Sequence, residues 1–216
     1  MNKLLITFLL FTGFCAQAQP TLKGGLDKFI NENIIYPGYS LQNCIQGTIQ
    51  ISFKVNKQGE IYSSAISSGL GVDLDQEALR LIRLTSGKWK VTADYDTSYV
   101  LIAPVNFKLS GAECDRKKPE EMRKAIAVYQ ANQGLTDAIT NFYRNKLNGA
   151  FNAADEPRII ALKKELGYDD AYFESKIKEG QKKLKQNDKQ GACEDFMFVK
   201  YMGSSLADDL LERYCK

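Results

Sequence analysis

Thr48-Ile49-Gln50-Ile51-Ser52-Phe53-Lys54-Val55 alternates without a fault, with Ile49, Ile51, Phe53 and Val55 on one face and Thr48, Gln50, Ser52 and Lys54 on the other. A period of two marks a half-buried strand, because successive side chains of an extended chain point to opposite faces. Asn56-Lys57-Gln58-Gly59 follows directly, and Gly59 can take the positive φ that a tight hairpin needs. Residues 60–67 then return as a second, less regular strand, in which Ile61 and Ile66 share a face only if a bulge intervenes.

Outward from this hairpin the period changes to that of a helix. Leu26, Phe29, Ile30 and Ile34 recur at helical spacing, which predicts an amphipathic helix over residues 26–34, and Pro37 disfavours helical geometry at Tyr36. After the hairpin, Leu74, Ala78, Leu81 and Ile82 form a second apolar stripe. Asp73 stands as its cap, Gln76 three residues on as in a capping box, and Gly87 as its stop. Past Trp89, residues 99–109 read as a last strand with Tyr99, Leu101, Ala103, Val105, Phe107 and Leu109 on one face. Pro104 falls on the other face and has no N–H, which confines this strand to a sheet edge. Helix, strand, strand, helix, strand in that order predicts an α+β unit: a small antiparallel three-stranded sheet with two helices on one face.

From residue 115 the β pattern stops. Pro119 with Glu120-Glu121 starts a helix bearing Met122, Ile126 and Tyr129, with Gly134 as its end; Ala138, Ile139, Phe142 and Tyr143 mark a second. Pro157 with Ile159, Ile160, Leu162 and Leu166 marks a third, stopped at Gly167, and Asp169 caps a long fourth. Two more are predicted over residues 191–202 and 204–214. Gly180, Ala192 and Phe196 stand at the spacing of the glycine, alanine and aromatic positions of a tetratricopeptide repeat (TPR), although Lys176, Lys183 and Ser204 replace its tryptophan, tyrosine and proline. This half therefore resembles one TPR-like hairpin plus a closing helix. The organisation expected is a leader over residues 1–18, an α+β domain over 19–114 and an all-α domain over 115–216.

The leader has the parts of a secretory signal peptide: Lys3, an apolar run over residues 4–14, and Ala16-Gln17-Ala18 as a cleavage site before Gln19. The run falls short of the ~20 apolar residues that a membrane span needs. Lipidation at Cys15 is disfavoured because the bulky Phe14 precedes it. A periplasmic protein with no stable membrane anchor in its mature chain is expected, with secretion or lipid anchoring as lesser alternatives. Cys44, Cys114, Cys193 and Cys215 would then sit in an oxidising compartment, and four cysteines allow three pairings.

The chain has no histidine, so nucleophilic arrangements that need an imidazole are absent, and no Cys-x-x-Cys suggests zinc or thioredoxin-like chemistry. Asp73/Asp75, Asp94/Asp96 and Asp169/Asp170 sit beside turn or helix-start signals and read as caps and solvated loop residues. No enzyme, metal or cofactor is predicted. The net charge of +3 gives no field for nucleic acid, and the lysines over residues 176–189 are broken by Glu179 and Asp188.

Tyr36-Pro37, Gly47, Gly59, Trp89 and Pro104-Val105-Asn106-Phe107, in this order over residues 24–109, resemble the C-terminal domain of TonB. The resemblance implies a domain that captures an extended protein or peptide partner, such as a segment of a TonB-dependent outer-membrane transporter, by adding it to a sheet edge. Carried over, the recognition edge is Tyr99, Val100, Leu101, Ile102, Ala103, Val105, Asn106 and Phe107. If the first and last strands of such a sheet are antiparallel neighbours, Cys44 lies near Cys114, and a Cys193–Cys215 pair would lock the terminal helix back onto its predecessor; the pairs expected are Cys44–Cys114 and Cys193–Cys215, each closing its own domain. Departures from the family are the cleavable leader in place of an anchor, only five prolines where TonB has a proline-rich spacer, and no proline or glycine over residues 90–96. Peptide binding without energy transduction is the function expected, with a scaffold whose helical half makes the contacts as the alternative.

Overall fold

The structure is a computed structural model that describes residues 19–215. The leader expected over residues 1–18, with Cys15, lies outside the described residues. In chain order the elements are β1 (Thr21–Leu22), α1 (Leu26–Asn33), α2 (Gly38–Gln42), β2 (Gly47–Val55), β3 (Ile61–Ser68), α3 (Asp73–Arg83), β4 (Trp89–Lys90) and β5 (Leu101–Phe107). They continue with α4 (Ala112–Asp115), α5 (Pro119–Leu147), a 3-10 turn (Ala153–Asp155), α6 (Glu156–Glu165), α7 (Asp170–Lys185), α8 (Lys189–Tyr201) and α9 (Asp208–Tyr214). The fold is α+β: a three-stranded antiparallel sheet in the order β3-β2-β5 with helices on one face, followed by a helix-rich region.

The fault-free alternation of β2 decides this sheet. Ile49, Ile51, Phe53 and Val55 are all buried, facing Leu74, Ala78, Leu81 and Ile82 of α3, Ile30 of α1, and Ala103, Val105 and Phe107 of β5. At roughly 1.5–3 kcal/mol for each large apolar side chain removed from water, this cluster is the main stabiliser of the sheet. The bulge needed in β3 is present. Lys54 pairs with Ser63 and Val55 with Ile61, so Tyr62 is the extra residue and Ile61 returns to the inner face.

Several sequence expectations are corrected. Asp73 does not cap α3; it is the first helical residue, after Val72, and its carboxylate accepts from the backbone N–H groups of Tyr39 at 3.1 Å and Ser40 at 3.3 Å and from the Ser40 hydroxyl. Asp75 reaches back instead to the N–H groups of Leu70 and Gly71, at 2.9 and 2.8 Å. Gly134 does not end a helix: α5 runs straight through it, since one glycine in a helix interior costs only about 1 kcal/mol and both ends of α5 are docked. The last strand begins at Leu101, two residues later than expected, because a turn at residues 97–98 holds Tyr99 and Val100 outside the ladder. The closing helix α9 likewise starts at Asp208. The β1–β4 pair, in which Leu22 stands opposite Trp89, and the short α2 have no period of their own in the sequence.

A second apolar cluster gathers Ile139 of α5, Phe173 of α7, Ala192, Phe196 and Val199 of α8, Met202, Ala207 and Leu211 of α9. The α7–α8 hairpin is close at the predicted point: a Cβ on Gly180 would stand 2.5 Å from Phe196 Cε1. The long helix α5 serves both clusters, Ala125, Ile126 and Tyr129 packing on the first and Ile139 and Tyr143 on the second. The disulfides are Cys44–Cys114 and Cys193–Cys215.

Candidate functional site

A sheet of three strands has two edges, and in this molecule they are treated differently. At the β3 edge, Gln190 of α8 presents its side-chain amide to Ser64. Oε1 accepts from the Ser64 N–H at 2.9 Å and from its hydroxyl at 2.9 Å, and Nε2 donates to the Ser64 carbonyl at 2.7 Å. One side chain thus satisfies both backbone groups that a neighbouring strand would otherwise take. Beside it, Arg83 of α3, only 4% exposed, donates to Ser64 Oγ at 2.8 Å and forms a two-pronged pair with Glu194 at 2.7 Å on each prong. Asp188 lies 3.8 Å from the same guanidinium and caps α8 through the Gly191 N–H at 2.7 Å. Burial raises the Asp188 carboxyl above the usual carboxylate range, against the lowering effects of the Gly191 bond and Arg83.

At the β5 edge, no strand pairs with the outer side among the described residues. The register sets which groups point there. Since Ser64 turns its N–H and C=O to Gln190, Phe53 opposite it turns its own toward β5. Phe53 and Ile51 therefore bond to Leu101 and Ala103, and Ile102, Pro104 and Asn106 point their backbone groups outward. The Ser67 hydroxyl donating to the Gln50 carbonyl at 3.2 Å agrees with this parity. Pro104 supplies an acceptor and no donor, so the open edge offers N–H groups at Ile102 and Asn106 with a gap between them.

The eight residues of the expected edge divide accordingly. Ala103, Val105 and Phe107 are core residues and Leu101 is half-buried, so these four hold the strand in place. Ile102 and Asn106 face outward, and Thr48 Oγ1 bonds Asn106 Oδ1 at 3.3 Å. Tyr99 and Val100 lie in the approach to the strand and, with Ile102, make an exposed apolar patch, 51%, 55% and 62% exposed.

The motif residues build the frame around this edge. Tyr36 stands edge-on to Phe107 at 5.8 Å and donates to the Ile45 carbonyl at 2.6 Å; burial, with Asp73 adding to it, pushes its hydroxyl up to about 12. Pro37 precedes the first turn of α2. Gly47 passes close under Leu70, where a Cβ would meet Cδ1 at 3.0 Å. Gly59, at φ 79°, lies against the Trp89 carbonyl with no room for a side chain, and Trp89 packs on Phe53 at 5.2 Å while its Nε1 donates to Thr85 Oγ1 at 2.8 Å. The approach loop is pinned by the Tyr62 hydroxyl on the Thr97 carbonyl at 2.6 Å and by Lys57 on the carbonyls of Ala93 and Tyr95. Cys44–Cys114 ties the start of β2 to the chain leaving β5.

The Ser64, Arg83, Gln190 and Glu194 network is absent from the sequence reading. No spacing signals it, because its partners come from β3, α3 and α8 and meet only in the folded chain. Among the described residues no group of histidine, cysteine, aspartate and glutamate could hold a metal ion, and no helix is long and apolar enough to cross a membrane. Neither a curated protein nor a solved structure matches this chain. Residues 32–109, which carry the whole three-stranded sheet and α3, match the family described as Gram-negative bacterial TonB protein C-terminal.

Proposed function

We propose that this chain is a non-enzymatic periplasmic module that binds an extended peptide by adding it as a fourth strand beside β5, in the service of TonB-dependent transport across the outer membrane. The observation that carries the reading is the asymmetry of the two edges: β3 is blunted at Ser64 by Gln190, whereas among the described residues no strand or side chain is placed against the outward backbone donors of Ile102 and Asn106, which lie beside an exposed apolar patch. Strand addition draws affinity from main-chain hydrogen bonds, each worth about 0.5–1.5 kcal/mol net, and selectivity from side-chain neighbours. The neighbours are apolar at Ile102 and polar at Asn106, which favours a segment with an apolar residue at one end and a hydrogen-bonding residue at the other.

The test is Ile102→Pro, which removes an outward donor while leaving the bonds to β2 in place. Binding of synthetic peptides copied from the periplasmic ends of outer-membrane transporters is measured by calorimetry. A loss of ten-fold or more, with unchanged thermal unfolding, supports the reading; unchanged affinity, or no binding by the parent chain, overturns it.

A further inference from the structure

The helix α5 is 29 residues long and exposes a face that neither core uses. Val128, Ala131, Leu135, Ala138 and Phe142 follow one another at intervals of three, four, three and four residues, the seam spacing of paired helices. Val128 and Leu135 are 48% and 41% exposed, Ala131 and Ala138 are exposed, and Phe142 is half-buried beside Phe151 at 5.8 Å. The inward residues Ala125, Ile126 and Tyr129 of the first core lie on a different side of the helix, and the buried Ile139 of the second core borders the stripe one turn past Leu135. No charged residue occurs over residues 125–136, in a chain where a quarter of all residues are charged. A helix face kept for water alone carries charges.

The ends of α5 say what fits this seam. Its first turn is acidic, with Glu120 and Glu121, and its last turn is basic, with Arg144 and Lys146. In an antiparallel pair of these helices, Ala131 of one copy stands across from Leu135 of the other and Val128 from Ala138. The same register sets Lys124 across from Phe142 and Glu120 across from Lys146. Opposite charges and opposed helix dipoles then meet at both ends. A parallel pair would set Glu120 and Glu121 against their own copies. Alanine at two seam positions allows close approach, and alternating small and large residues, Ala131 against Leu135, interlock.

We infer that α5 is the interface of a homodimer, two copies pairing antiparallel through the Val128–Ala131–Leu135–Ala138–Phe142 seam. From Val128 to Phe142 the seam is about 21 Å long at ~1.5 Å per residue, so the contact is small and the dimer dissociates on dilution. The dimer carries two β5 edges and does not depend on whether either binds a peptide.

Sedimentation equilibrium of the purified chain over a wide concentration range is the test. A reversible monomer–dimer equilibrium is expected, weakened at least ten-fold by Leu135→Glu without change in circular dichroism or thermal midpoint, since Leu135 is exposed. The Ile102→Pro variant should dimerise as the parent does, which separates this interface from the strand edge. For register, a mixture of Ala131→Cys and Leu135→Cys chains treated with a short bismaleimide should link the two variants to each other far more than either to itself. A monomer throughout, a dimer indifferent to Leu135→Glu, or links of position 131 to itself would each overturn the inference.

Discussion

Gln190 and Ser64, far apart in sequence, pair as two neighbouring strands would: the side-chain amide of one takes both backbone groups of the other, at 2.9 and 2.7 Å. A sheet edge left bare invites other chains, and here a single glutamine on α8 blunts it. Gln190→Ala strands the Ser64 N–H and C=O in a buried position. The expected cost is about 1–3 kcal/mol by urea unfolding. Amide exchange at Ser64 should accelerate more than at Phe53, and equal protection before and after the change would show that Gln190 does not seal the edge.

Arg83 is the second clamp between β3 and α8. Its guanidinium is buried and bonded to Ser64 and Glu194, so Arg83→Ala removes a charge that other groups were placed to meet. Breaking a buried pair costs roughly 3–5 kcal/mol, and the low end applies because the Glu194 side chain is half in water. A double-mutant cycle with Glu194→Gln should return a coupling above ~1 kcal/mol; additive effects would count against the clamp.

Gly180 sits where α7 and α8 touch. A methyl group there would collide with the Phe196 ring, itself buried, so Gly180→Ala should destabilise by about 1–3 kcal/mol despite alanine's better helix propensity. Relief by Phe196→Leu in the same chain would tie the loss to this contact. A stabilising Gly180→Ala would mean the helices can separate at no cost.

How much of this was legible in the sequence follows from where the information lies. The β2 alternation and the stripes of α1 and α3 are local patterns, and the inner face of the sheet followed from them. Pro104 marked the edge strand because a missing N–H is a property of one residue. The start of α3 was misplaced by one residue because Asp73 has the side chain of a cap, whereas its carboxylate is taken by Tyr39 and Ser40, from an element far away in the chain. Gly134 misled because a glycine stops a helix only where the chain turns. The blunting of the β3 edge at Ser64 was invisible: Gln190 is an ordinary polar residue on a helix until Ser64 is brought beside it.

Removing either disulfide should reveal what it closes. Cys44–Cys114 spans 70 residues and Cys193–Cys215 spans 22, so loop entropy assigns them about 4 and about 3 kcal/mol. Cys44→Ser with Cys114→Ser should therefore cost more than Cys193→Ser with Cys215→Ser in denaturant midpoints. The first pair also fixes the exit of β5, so it should additionally speed amide exchange at Phe107; no change there would make that disulfide a staple remote from the edge.

Asp188 gives a pH dependence with a definite sign. Its carboxyl is raised chiefly by burial, so the folded chain takes up that proton more readily than the unfolded one. Its ionised form therefore weakens the fold above the folded-state value, and the weakening is relieved as pH falls through that value toward the ordinary carboxylate value of 3.8. Asp188→Asn keeps an oxygen to accept from the Gly191 N–H and has no charge to bury, while Arg83 retains Glu194. The variant should equal or exceed the parent in stability at pH 7, and its advantage should shrink steadily as the medium is acidified through the carboxylate range. Chemical unfolding of both chains at intervals from pH 7 to pH 4 measures this, and a deficit for Asp188→Asn that is largest at pH 7 would show instead that the ion pair with Arg83 outweighs the burial of the carboxylate.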